Sequence, residues 1–138
     1  PEHYFEVLKG SRAILPLIDK DLNRWAVGCY TSQIRIKQAH RRLENELFRA
    51  EKMATAAAAN ELMAYPLAQL RDAERDLLIS EFHDILPGSS IAAAEEASLR
   101  LLAHGREIAA RISARAFFAL LSGEAAAAEG SYPVFVYN

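Results

Sequence analysis

The chain has 138 residues, 51% of them apolar and 25% charged, and this balance fits one globular domain rather than a disordered segment. A formal net charge of −2 offers no basic surface for nucleic acid or for an anionic membrane. No apolar run approaches the roughly 20 residues that span a bilayer, no signal peptide opens the chain, and the single cysteine, Cys29, cannot form an internal disulfide. We therefore expect a cytoplasmic domain with neither nucleic-acid nor membrane partners.

Residues 1–30 are predicted to form a short amphipathic helix, from Pro1 to about Lys9, followed by a loop. Residue types that favour turns recur through this loop, at Gly10, Ser11, Pro16 and Asn23. We place the start of a helical bundle directly after it, at residue 31.

A three-helix bundle is predicted for residues 31–123, and its first helix covers about residues 31–60. Thr31 and Ser32 supply hydroxyl groups that can cap a helix N-terminus. Apolar residues at helical spacing predict the inward face: Ile36, Ala39, Leu43, Leu47, Ala50 and Ala54. Charged residues opposite them predict a solvated face: Lys37, Arg41, Arg42, Glu44, Glu46 and Lys52.

The second helix is predicted at about residues 66–83, since helices tolerate proline at their first position. Its buried stripe is predicted to be Leu67, Leu70, Leu77 and Phe82, and its water-facing side Arg71, Asp72, Glu74, Arg75 and Asp76. The third helix is predicted at about residues 91–121. Steps of three and four residues give it a coiled-coil-like seam: Ile91, Ala94, Ser98, Leu101, Gly105, Ile108 and Ile112. On this seam, Gly105 permits either close helix contact or a hinge.

Three helices with short connections predict an all-α fold, an up-down-up three-helix bundle of the immunoglobulin/albumin-binding-domain-like kind. An alanine-rich linker and a β-like tail occupy residues 124–138, where residues 132–138 alternate as a strand does. Because this strand has no partner in sequence, we expect the chain to be an excised segment whose tail enters a sheet that lies outside it.

An imidazole and a carboxylate stand side by side at His83 and Asp84, where the second helix is predicted to end. The turn signals that follow predict a rigid corner that aims the pair out of the bundle. The pair alone also fits a structural role, because a helix C-terminus favours a histidine and aspartate forms turns. The pair by itself therefore fits either a functional site or a structural corner.

A group of four residues that follows the pair, residues 87–90, is predicted to shape this turn. Pro87 lacks an amide proton, and Gly88 permits a left-handed backbone. Ser89 and Ser90 can each cap the helix that begins at Ile91.

Two stretches together resemble the middle domain of the family 38 glycoside hydrolases, the zinc-dependent retaining α-mannosidases. Residues 27–33, Val-Gly-Cys-Tyr-Thr-Ser-Gln, are similar to the family's G-x-Y-T-S segment, and Lys, Arg and Glu recur in the helix after it at similar spacing. Residues 82–91 resemble the family's H-D-x-x-x-G-[ST] turn in its bacterial form, H-D-I-L-P-G-S-S. The tail at residues 132–138 also looks like the opening strand of the β-sandwich that follows the bundle in these enzymes.

The resemblance implies that His83 is one of the ligands of a four-ligand zinc ion and that Asp84 contacts the bound mannose. It implies a parent enzyme that hydrolyses terminal α-D-mannosyl residues, with zinc, cobalt or another divalent ion as cofactor. The nucleophile, the acid/base residue and the remaining ligands would belong to an N-terminal catalytic domain, and a β-sandwich domain would follow. These domains and the mannoside are the partners that the resemblance implies.

The chain alone is predicted to be inactive and to bind zinc weakly or not at all. A retaining glycosidase needs two carboxyl groups about 5–5.5 Å apart, and Asp84 is the only strong candidate. The other histidines, His3, His40 and His104, have no two-ligand spacing with His83. We therefore assign no catalytic residue to this chain.

Other interpretations remain open for several residues. Trp25 and Tyr30 could stack on a sugar or pack at the top of the bundle, and Cys29 could be a reactive thiol or a buried apolar side chain. For the whole chain, the alternative is a helical interaction or spacer module without a catalytic contribution. A self-contained metalloenzyme is a third interpretation, which the missing ligands disfavour.

Overall fold

The computed structural model describes residues 1–11, 14–22 and 27–137. It contains four α-helices and a short 3₁₀ helix at Val27–Tyr30. The α-helices are α1 (Glu2–Gly10), α2 (Ile34–Ala59), α3 (Leu67–Ser80) and α4 (Ala92–Leu121). Helix α4 packs along both α2 and α3, whereas α2 and α3 contact each other less. The predicted all-α three-helix bundle is confirmed, with α1 as the short N-terminal helix.

The core lies between α2, α3 and α4 and follows the apolar periodicity. Four residues of the inward face predicted for α2 are fully buried: Ile36, Leu43, Ala50 and Ala54. They pack against residues of α3 and α4, chiefly Leu70, Ala73, Leu77, Leu102, Ala109 and Ile112. Burial of these apolar surfaces is the main force that holds the three helices together.

Four predictions about individual faces are wrong at the helix ends and on α3. Leu67, Phe82 and Ile91 were expected in the core but are exposed. Leu67 is the first residue of α3, and Phe82 and Ile91 lie outside the helices, since α3 ends at Ser80 and α4 begins at Ala92. Asp76 was expected to face water but is 7% exposed. Its carboxylate accepts a hydrogen bond of 2.7 Å from Nδ1 of His104, and this partner compensates the burial.

The predicted side-chain caps are also wrong. The residues before the three long helices are Gln33, Pro66 and Ile91, and none of them makes a capping side-chain hydrogen bond. The serine hydroxyls bond elsewhere: Ser32 to backbone carbonyls across the fold and Ser90 to the Gln33 side chain. Hydroxyls that can cap a helix were therefore used for contacts between segments.

Gly105 marks the closest approach of the helices. A Cβ at this position would lie 2.9 Å from Cδ2 of Leu43 on α2 and 3.3 Å from the carbonyl oxygen of Ala73 on α3. The helix is continuous through Gly105. Close helix contact, rather than a hinge, accounts for this glycine.

Two ion pairs connect α2 to α4. Arg106 donates to both carboxylate oxygens of Glu46, at 3.1 and 2.9 Å, and this hydrogen bonding raises the pKa of the Arg106 guanidinium. Nearer the helix starts, a hydrogen bond to Glu95 raises the pKa of Arg35. Both pairs join helices that are about 60 residues apart in sequence, so they help to fix the alignment of α2 on α4.

After α4 comes an irregular tail, which returns to α2 and α4 at Tyr137. Residues 124–137 form neither helix nor strand, and Tyr132, Val134 and Val136 are exposed. The β-like alternation here remains a prediction about a sheet outside the chain. None of the helices in the described ranges has both the length and the apolar character that crossing a membrane requires.

Candidate functional site

The corner between α3 and α4, residues 81–91, carries the candidate site. Amide hydrogen bonds fold it into successive turns, from Ile85 and Leu86 to the carbonyl of Phe82 and from Gly88 to that of Ile85. The side chains of Ile85 and Leu86 pack against the core cluster that contains Ile36 and Leu102. Its apolar side chains thus fix the corner on the core, and its polar groups lie on the opposite, outer side.

His83 and Asp84 lie together on that outer side. Their side chains are 77% and 53% exposed, and Nε2 of His83 lies 3.3 Å from Oδ2 of Asp84. The hydroxyl of Ser89 donates to the other carboxylate oxygen of Asp84 at 3.2 Å. The ring of Phe82 contacts the imidazole with centroids 4.3 Å apart. Both groups can therefore reach a ligand outside the bundle while a serine and a phenylalanine restrain them.

The start of α2 holds this corner from the side. The Ser32 hydroxyl lies 3.0 Å from the carbonyl oxygen of Pro87 and 3.1 Å from that of Gly88. Nε2 of Gln33 donates to the carbonyl oxygen of Ser90 at 2.7 Å. Lys37 donates to the carbonyl oxygens of Ser32 at 2.6 Å and of Pro87 at 3.2 Å. Side-chain donors on one segment thus bind the backbone of the other.

Gly88 is required at this contact. Its φ of +84° is left-handed, and a Cβ would lie 2.4 Å from the Ser32 hydroxyl oxygen and 2.9 Å from the Ser32 carbonyl oxygen. A side chain at Gly88 would therefore strain the backbone and collide with residue 32.

An open groove of about 330 Å³ lies beside the corner. It is lined by Tyr30, Lys37, His40, Arg41, Leu86 and Pro87. Within it, Nε2 of His40 pairs with Glu81 at 3.0 Å. The groove does not include His83 or Asp84 in its lining, so it neighbours the pair rather than containing it.

The structure brings six of the seven residues assigned from sequence into this corner: His83, Asp84, Pro87, Gly88, Ser89 and Ser90. Trp25, the remaining one, lies outside the described residues. Sequence reasoning missed the contribution of Ser32, Gln33 and Lys37. Lys37 was expected on a solvated face but is half-buried. The advance signal was that residues 27–33, Lys37 and residues 82–91 all belonged to the same resemblance.

The side chains at the corner include possible metal ligands, but few of them. His83 is an exposed imidazole, the type of ligand that zinc accepts, and a carboxylate lies beside it. Over residues 1–11, 14–22 and 27–137, however, no cluster of three or more His, Cys, Asp or Glu side chains could hold a metal ion. Within the described residues, His83 and Asp84 thus stand at the corner without a third such side chain close enough to share a metal ion with them.

Comparison with known proteins assigns the fold and its corner to a family. The family described as "Alpha mannosidase middle domain" matches residues 25–120. The chain belongs to this family. The matched range of this alpha mannosidase middle domain contains α2, α3, nearly all of α4, and both segments that meet at the corner.

Curated relatives agree with this assignment. The chain is 35% identical over 102 residues to Alpha-mannosidase 2C1 of Homo sapiens and 32% identical over 102 residues to Alpha-mannosidase 2C1 of Mus musculus. Each alignment covers 70% of this middle domain but only 9% of the relative. The chain thus matches less than a tenth of the length of these proteins. No solved structure matches it.

Proposed function

We propose that this chain is the part of a zinc-dependent retaining α-mannosidase that contributes His83 as one metal ligand and Asp84 as a carboxylate that contacts the mannoside. One observation supports the proposal above all. Among the described residues of the range that matches the family, one corner between long helices carries an exposed imidazole beside a carboxylate. Hydrogen bonds from Ser32, Gln33 and Lys37, at the start of α2 and just before it, hold that corner in place. Such restraint suits groups that must meet ligands supplied by another domain.

The chemistry of the two side chains is consistent with these roles. An imidazole nitrogen is a common zinc ligand, and catalytic zinc sites usually use three protein ligands and keep a position open for substrate or water. When bound, the zinc ion would supply Lewis-acid polarisation at the substrate. Asp84 can accept hydrogen bonds from sugar hydroxyls while Ser89 orients one of its oxygens. A single histidine cannot complete the site, so the remaining ligands must come from outside this chain.

The proposal extends to the partners and to the behaviour of the chain alone. The nucleophile and the acid/base carboxylate would come from a preceding catalytic domain, and a β-sandwich domain would follow the tail. The chain alone would then be inactive and hold zinc weakly. The half-buried lone thiol of Cys29 is compatible with the cytoplasmic location that we propose.

Substitution of His83 in the longer enzyme tests the proposal. His83→Ala should lower both zinc affinity and α-mannosidase kcat/KM by at least about a hundredfold, and should therefore lower the zinc content, because one ligand is lost. Asp84→Asn should keep the zinc and lower kcat/KM, since the substrate contact loses its charge. His3→Ala, an exposed histidine on α1, is the matched control and should change neither.

The bundle itself should survive both substitutions, because exposed side chains contribute little to stability. Circular dichroism would establish this for each variant. Wild-type turnover and zinc content in His83→Ala would refute the proposal. That outcome would favour the alternative, a helical interaction or spacer module.

A further inference from the structure

We propose that Lys37 is a positioning residue for the candidate site: its ammonium group holds the corner that carries His83 and Asp84 against the start of α2. This inference rests on the function proposed above and adds to it a residue that acts through the backbone. Lys37 touches neither metal nor substrate in this account.

The contacts of Lys37 join the two segments directly. Nζ donates to the carbonyl oxygen of Ser32, just before α2, and to that of Pro87, in the corner. These residues are 55 positions apart in sequence and meet only through the fold. The side chain is half-buried, and it lines the groove beside Tyr30 and Leu86. A charged group in such a place is stabilised by the acceptors that it binds.

The position of Lys37 in its helix indicates the same role. It lies in the first turn of α2, where the partial positive charge of the helix N-terminus disfavours a cation. An ordinary solvated lysine would gain nothing from this position. Two backbone carbonyl oxygens that lie outside the helical hydrogen bonding provide the compensation.

Neither of the other two donors at this contact can replace Lys37, because Nε2 of Gln33 donates to a different carbonyl, that of Ser90, and the Ser32 hydroxyl has several acceptors. The Ser32 hydroxyl lies 3.0 to 3.2 Å from three carbonyl oxygens, those of Pro87, Gly88 and Cys29. It has one proton and can donate to only one of them at a time. An ammonium group has three protons, so Lys37 can satisfy Ser32 and Pro87 together. Pro87 follows Asp84 by three residues, and this bond therefore limits how far the corner can move.

Lys37→Met tests the inference, with Lys52→Met as the matched control. Methionine keeps a flexible apolar stem and removes the ammonium group. Lys52 is an exposed lysine later in the same helix, so its substitution makes the same chemical change away from the corner. Amide hydrogen exchange of Ile85, Leu86 and Gly88 should accelerate at least about tenfold in Lys37→Met. Amides in the middle of α4 should not change, and Lys52→Met should match the wild type.

The functional consequence is measured in the longer enzyme. Lys37→Met should release zinc to a chelator at least about tenfold faster and lower kcat/KM by a similar factor, as outer residues of metal sites do. Its thermal unfolding midpoint should stay within a few degrees of the wild type. Lys37→Arg retains a cationic donor of similar reach and should restore most of the amide protection and zinc retention.

Three results would overturn the inference. All three concern Lys37→Met: an unchanged rate of amide hydrogen exchange at the corner, a rate that rises uniformly over the bundle, or normal zinc retention and kcat/KM. An arginine variant as impaired as the methionine variant would also contradict it. A failure of the proposed function would be recognised from a different variant, since it would leave zinc content and turnover normal in His83→Ala.

Discussion

Replacement of Gly88 by alanine tests whether the corner and the start of α2 are packed as the structure shows. The backbone at Gly88 is left-handed, with φ of +84°, and this conformation costs a residue with a Cβ about 1–2 kcal/mol. The new methyl group would also lie 2.9 Å from the carbonyl oxygen of Ser32, which is backbone and cannot rotate away. Overpacking of this kind costs about 1–3 kcal/mol.

The sum predicts that Gly88→Ala loses about 3 kcal/mol of unfolding free energy, or roughly 10 °C in Tm for a domain of this size. Urea unfolding of the chain, followed by far-ultraviolet circular dichroism, measures this loss. The hydroxyl oxygen of Ser32, 2.4 Å from the same methyl group, would have to rotate and give up its hydrogen bond to the corner, whether to Pro87 or to Gly88. We therefore expect the corner to loosen even where the bundle stays folded.

Gly28→Ala provides the control for this substitution. Gly28 lies in the 3₁₀ helix just before the same contact, its φ is not left-handed, and a Cβ there would meet nothing within 4 Å. Its substitution should change the unfolding free energy by less than about 0.5 kcal/mol. A loss of less than about 0.5 kcal/mol in Gly88→Ala, or equal losses in the two variants, would refute this account of the packing.

Three further outcomes are expected. Gly105→Ala should lose about 1 kcal/mol in urea unfolding, because crowding of the fully buried Leu43 and of the Ala73 carbonyl oxygen outweighs the gain in helix propensity, and a stabilised variant would contradict the close packing. Arg106→Lys should lose about 0.5–1 kcal/mol by breaking the two-bond pair with Glu46, whereas Arg111→Lys, in an exposed pair, should lose less; equal losses would contradict the difference. Isothermal titration of the chain alone should detect no tight stoichiometric zinc, and tight binding would contradict a site shared with another domain.

Sequence periodicity was sufficient for the fold of the bundle. Apolar residues at steps of three and four placed Ile36, Leu43 and Ile112 inside, because a helix must bury one stripe against its neighbours. The Pro87–Gly88 pair likewise predicted a turn, since proline fixes its own φ angle and glycine permits a left-handed backbone. These features depend on residues close together in sequence.

Contacts between distant segments could not be predicted in this way. Lys37 has the spacing of an exposed residue, yet the corner folds over the first turn of α2 and offers it carbonyl oxygens. Asp76 also has charged neighbours in sequence, but α4 covers it and provides His104. In both cases a residue 28 to 50 positions away decides the environment, and a local pattern contains no information about such a residue.

The position of the metal in the longer enzyme tests the central proposal most directly. A crystal of the zinc-loaded protein, with diffraction recorded at the zinc absorption edge, would show the ion by its anomalous signal. The proposal predicts a peak about 2.0–2.1 Å from a ring nitrogen of His83, with Asp84 facing the space where a sugar would bind. A peak coordinated without His83, or no peak near the corner, would contradict it.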